Sequence, residues 1–105
     1  MKRYEFRADE RLGIRLPVLE LEWEAYDEQE QNDMLSEWEE IRGRIPSRIL
    51  ELEAIIIEQQ ERLNREEHFA TSCQLNANIA ELASRINDLH LWYRVDQEVA
   101  ARRHP

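Results

Sequence analysis

A single cysteine, Cys73, leaves the chain with no intrachain disulfide to close, which points to a reducing compartment. Two glycines, Gly13 and Gly43, and three prolines in 105 residues offer little for the tight turns that an all-β fold repeats. Two isolated glycines also cannot build a phosphate-cradling loop. No apolar run approaches the ~20 residues of a membrane-spanning helix, and the opening MKRYEFRADERLGIRL has no apolar core of a secretory signal. The expectation is a soluble cytoplasmic protein of one domain, residues 1–105, with no membrane partner.

Catalytic arrangements are equally scarce. No serine sits in a glycine-flanked elbow, and no third group is placed to orient a histidine. The acids are many, but nothing around Glu37, Glu39 and Glu40 would desolvate one and raise its pKa. A zinc site needs three or four ligands with short pair spacings, and none occurs. The Glu-x-x-His signature of di-iron bundles would require Glu where Arg65 and Asn87 stand. His68, Cys73 and His90 are the only candidate metal ligands. No enzyme activity and no cofactor are expected.

What is abundant is charge and helix-forming side chains. Charged residues make up 35% of the chain, with a formal net charge of −9. The imbalance sits in residues 17–41, which hold ten acids and no Lys or Arg. Such a block repels a phosphate backbone and disfavours nucleic acid; its natural complement is a protein with a basic surface. Arg42, Arg44 and Arg48 alternate with Ile41, Ile45 and Ile49 and read as the wet side of an apolar seam.

Two apolar rows mirror each other about residue 67. The first is Ile41, Ile45, Ile49, Leu52, Ile56 and Leu63; the second is Leu75, Ile79, Leu82, Ile86, Leu89 and Tyr93. Steps of three and four line one face of a helix, so the expected fold is all-α. It is a long antiparallel hairpin of residues 28–63, kinked or broken at Gly43–Pro46, and residues 70–99. Asp27 and Glu30 have capping-box spacing, as do Thr71 and Gln74, and Asn64 suits a left-handed helix end. The apolar face runs on through Ile45, Ile49 and Leu52 past Pro46, which favours a kink. Residues 1–15 read as an extended arm or frayed tail. For residues 17–26 a helix opened by Pro17 competes with a strand, and the helix is preferred because no sheet is otherwise in view.

The seam leaves apolar surface over. Leu50, Ile55 and Ile57 lie beside the first row, and Leu91, Trp92, Val95 and Val99 beside the second. Each large apolar side chain gains about 1.5–3 kcal/mol on full burial. This predicts a cover: residues 17–43, or a second copy in a homodimeric helical bundle.

The turn and return helix, Glu67-His68-Phe69-Ala70-Thr71-Ser72-Cys73-Gln74-Leu75 through Leu82, resemble the UVR motif, a helical hairpin of bacterial excision-repair nuclease subunits and some Clp-protease adaptors. Phe69, the small pair Ser72 and Cys73, then Leu75, Ile79 and Leu82 carry the likeness, with Leu52-Glu53-Ala54-Ile55-Ile56 before them; it spans residues 50–85. His68, Ala70 and Asn76-Ala77 depart from that motif's charged positions. The resemblance implies a hairpin that pairs with another hairpin and does no chemistry; it does not imply DNA repair. The function expected is a small helical protein–protein interaction module that self-associates. The alternative is a bundle that binds a small molecule or metal.

Overall fold

In a computed structural model, which describes residues 3–95, the chain is mostly helical with one small sheet. Strands β1 (Tyr4–Asp9) and β2 (Ile14–Leu19) form an antiparallel hairpin. A single 3-10 turn, Trp23–Ala25, leads into helices α1 (Glu28–Arg42), α2 (Ile45–Arg65) and α3 (Phe69–Tyr93). The expected antiparallel pairing of α2 with α3 is present.

The long first arm of that hairpin is kinked, not turned. Gly43 and Arg44 both keep right-handed helical dihedrals (φ −63°, ψ −17° and φ −90°, ψ −12°). Pro46 therefore falls in the first turn of α2, where its missing N–H has no intrahelical partner to lose. Ile41, Ile45 and Ile49 stay on one buried face across the junction. Residues 28–65 as one straight helix would span about 57 Å, and the longest dimension of the molecule is 59 Å.

The capping box forms as its spacing suggests. Glu30 N–H donates to Asp27 Oδ1 at 2.8 Å, and Asp27 N–H donates to Glu30 Oε1 at 3.2 Å. The other two expected helix ends differ. Asn64 lies inside α2, which ends in an extended Glu66 (φ −82°, ψ 129°), and no described non-glycine residue has positive φ. Helix α3 starts at Phe69 after an extended His68 with no side-chain cap, not at a Thr71 box. The link has extended Glu66 and His68 at its two ends, and the His68 N–H donates to Glu66 Oε1 across it.

The N-terminal expectation is overturned. Residues 4–19 are neither arm nor tail, and no helix opens at Pro17. Phe6 stands opposite Pro17, and Asp9 opposite Ile14. Pro17 is tolerated because both strands of a two-stranded ribbon are edges. The connection closes locally: Leu12 N–H donates to Asp9 Oδ1 at 2.8 Å, and Gly13 N–H to the Asp9 carbonyl at 2.8 Å. Gly13 takes φ +75°, which glycine adopts without strain.

A lone ribbon is marginal in water, so its stability comes from docking. Leu12 and Ile14 enter the same core as Trp38, Ile41, Ile45, Ile49, Leu52, Leu82 and Leu89. Phe6 stacks on Trp38, centroids 6.4 Å apart and planes 10° apart. The open end is tied by Tyr26. Its hydroxyl donates to the Arg3 carbonyl at 2.7 Å and accepts from Glu20 and Leu21 N–H, each at 3.1 Å.

Candidate functional site: an apolar groove between α2 and α3

The β-hairpin covers one flank of the α2–α3 pair. Arg11, at its tip, donates to Glu81 Oε1 (3.0 Å), Ser84 Oγ (2.9 Å) and Asp88 Oδ2 (2.7 Å). These three acceptors occupy one stripe of α3 at steps of three and four. From α2, Arg48 Nε donates to the Leu12 carbonyl at 2.9 Å. Donating to the Asp88 carboxylate, and next to that of Glu81, raises the Arg11 pKa above its ordinary value. Arg85 first, and then Arg11, hold the Glu81 carboxyl below the usual glutamate range.

Covering that flank settles which apolar residues are spare. Ile41, Ile45, Ile49, Leu52, Leu75, Leu82 and Leu89 are buried, while Ile56, Leu63, Ile79 and Ile86 are half-buried. Tyr93 departs from the expected row. It is exposed, with the Arg42 guanidinium 4.3 Å over its ring and Arg42 Nε donating to its carbonyl at 2.7 Å. A cation at the end of α3 complements the unpaired carbonyls there.

Trp92 and Val95, expected as outward contacts, pack on the core instead. Trp92 meets Trp38 edge-on at 5.8 Å, because α1 crosses that end of α3 and supplies the aromatic surface it needs. Val99 lies outside the described residues. Leu50 and Ile57 remain 66% and 57% exposed, and Ile55 39%. Leu91 and, at the turn, Phe69 are exposed as well.

Leu50 and Ile57 are not scattered. On the side away from the β-hairpin two hollows, of about 390 and 400 Å³, lie in line between α2 and α3. Pro46, Ile49, Leu50 and Tyr93 line the first; Ile56, Ile57, Ala83 and Ile86 line the second; Glu53 and His90 border both. Pro46, Leu50, Glu53 and Ile57 follow steps of four, three and four along α2, as one face requires. The sequence reading picked out Leu50, Ile57 and His90 but missed Pro46 and Glu53, whose place on the same stripe was the available signal.

The metal candidates do not converge. His68 is exposed beside the turn, its Nδ1 3.3 Å from Glu66 Oε1, and Cys73 is exposed on α3. Cys73 and His90 are 17 positions apart on one helix, which separates them by about 25 Å. Among the described residues no three His, Cys, Asp or Glu side chains gather as a metal site. The His68 N–H donates to Glu66 Oε1 at 3.0 Å and is the main cause holding that carboxyl below its ordinary range.

No protein-family model, curated protein or solved structure matches the chain. No described helix is long and apolar enough to cross a membrane. The acidic segment is partly satisfied internally, since Arg3 pairs with Glu30, Arg15 with Glu37, and Arg42 with Glu39. Exposed pairs of this kind contribute about 0–1 kcal/mol each and set position more than stability.

Proposed function

We propose that the protein is a small helical interaction module whose α2–α3 groove receives the same groove of a second copy. The observation that carries this reading is the pair of aligned hollows, rimmed by Leu50 and Ile57. They lie one heptad apart on α2, and Glu53 and His90 lie between them. A two-fold axis near Glu53 sets Leu50 of one copy into the hollow beside Ile57 of the other, and the reverse. It also brings Glu53 of each copy toward His90 of its partner, an acceptor toward a donor. The hollows span Pro46 to Ile57, about 17 Å. A contact that runs on along all 21 residues of α2, about 31 Å long and two helices or about 20 Å wide, buries about 1,200 Å² over both copies, at the lower edge of stable interfaces. The likeness of residues 50–85 to hairpins that pair with hairpins supports the same reading. A basic partner protein on the acidic face of α1 is the competing contact.

Sedimentation equilibrium tests it. The wild type is expected to exceed 12.7 kDa at micromolar concentration. Leu50→Glu combined with Ile57→Glu should return it to monomer with helix content unchanged, because both positions face solvent within one copy. A wild type that stays at 12.7 kDa across the concentration range removes the proposal.

A further inference from the structure

A second opening lies on the other side of the molecule, between the β-hairpin and α1. It is a cavity of about 70 Å³ whose walls include four aromatic side chains, Tyr4, Phe6, Trp23 and Trp38. Tyr4 stands edge-on to Phe6 (6.3 Å, 81°), and Phe6 lies nearly parallel to Trp38 (6.4 Å, 10°), so the rings present surfaces at right angles. The indole Nε1 atoms of Trp23 and Trp38 are buried and unpaired. Neither N–H is therefore open to the cavity, and what the two rings present there is carbon. Glu5 is the only charged residue among the described ones lining it, and between Tyr4 and Phe6 on β1 its side chain alternates to the other face of the strand, so the walls are apolar. The exposed Leu19 stands at the rim.

We propose that this cavity is a binding site for a methylated ammonium group. Ring faces attract a cation held within about 6 Å of their centroids. An unmethylated ammonium brings three N–H donors, and the apolar walls here offer them no acceptor. A quaternary ammonium has no donor to satisfy and spreads its charge over methyl groups that pack on aromatic carbon. The space, about 70 Å³, exceeds the minimum of about 10–15 Å³ that one water requires and so admits a small head group.

The surrounding charge has the right sign. Trp23 lies between Glu22 and Glu24, in a stretch of ten acids with no base over residues 17–41, of which Glu30, Glu37 and Glu39 are paired with arginines from outside it. The same field opposes an anionic ligand. This site is separate from the groove between α2 and α3, so it stands or falls independently of self-association.

The test follows the three indole N–H signals by NMR while choline is added at constant ionic strength. The signals of Trp23 and Trp38 are expected to move saturably, and that of Trp92 least. The neutral isostere, with tert-butyl in place of trimethylammonium, should bind at least about tenfold more weakly. Trp23→Leu, which keeps apolar bulk and removes a π face, should weaken choline about tenfold, and Trp23→Phe should restore most of it. A parallel titration with a trimethyl-lysine peptide shows by relative affinity whether the group arrives on a small molecule or on a side chain. Absence of any shift, equal affinity for the neutral isostere, or full affinity in Trp23→Leu overturns the proposal.

Discussion

Replacing Gly13 by alanine disturbs two things at once. Its φ of +75° lies in the left-handed region, where a Cβ costs about 1–2 kcal/mol. The added Cβ would also fall 2.5 Å from Arg48 Nε and 2.8 Å from Cζ. The guanidinium then has to withdraw and give up its 2.9 Å bond to the Leu12 carbonyl. A hydrogen bond to a charged group is worth about 1.5–3 kcal/mol. Because the Arg48 side chain is 25% exposed, solvent brings the value to the bottom of that range or just below it, about 1–2 kcal/mol.

Gly13→Ala should therefore destabilise the fold by about 2–4 kcal/mol, which lowers the melting temperature by roughly 10–25 °C for a domain of this size. Urea melts followed by far-UV circular dichroism give the free energies. The decisive measurement is the double-mutant cycle with Arg48→Ala. Once the guanidinium is gone, alanine at residue 13 costs only its backbone strain, so the double variant should be about 1–2 kcal/mol more stable than the sum of the single effects predicts. Additivity to within about 0.5 kcal/mol, or a neutral Gly13→Ala, would refute the view that Arg48 locks the hairpin tip onto α2.

Tyr26→Phe removes one hydroxyl that serves three backbone groups; it should cost about 1–3 kcal/mol and speed amide exchange at Glu20 and Leu21 selectively. Leu89→Ala, at a fully buried position, should cost about 2–5 kcal/mol, while Phe69→Ala at an 83% exposed position should stay within about 0.5 kcal/mol, both read from denaturant melts. Acid should loosen the Arg11 clamp. The Glu81 carboxyl titrates below its ordinary 4.5 in the folded state, so its contribution is full above that value and is lost as pH falls through the depressed one. The stability difference between wild type and Glu81→Gln should thus be constant near neutrality and shrink in acid, as melts on both sides of pH 4.5 would show.

The helical hairpin was legible because its cause is local. Ile45, Ile49 and Leu52 on one arm and Leu75, Leu82 and Leu89 on the other recur at the helix period. Asp27 and Glu30 satisfy each other's N–H across one turn. Pro46 was legible in part: its missing donor fits a helix start, and the continuous apolar face kept the two helices in line. The β-hairpin was missed for an equally plain reason. Tyr4 and Phe6 alternate with charges, and so do Ile14 and Leu16, but each run alone has no hydrogen-bonding partner. The partner was the neighbouring run, and the Asp9 to Gly13 turn that joins them was the overlooked signal.

Trp92 shows why the candidate site was harder to place. Apolar spacing marks it as flanking the seam, yet spacing does not say which flank another element will cover. That depended on α1 bringing Trp38 beside it and on Arg11 reaching Asp88 from 77 residues away in sequence. Residues a few positions apart on a helix meet whatever the rest of the chain does, so the order of amino acids alone specified the paired helices and their greasy faces. Where the ribbon landed was a long-range choice among surfaces of similar apolarity. Only the folded molecule decided that one flank would be sealed, the opposite groove left open, and four aromatic rings gathered around a cavity.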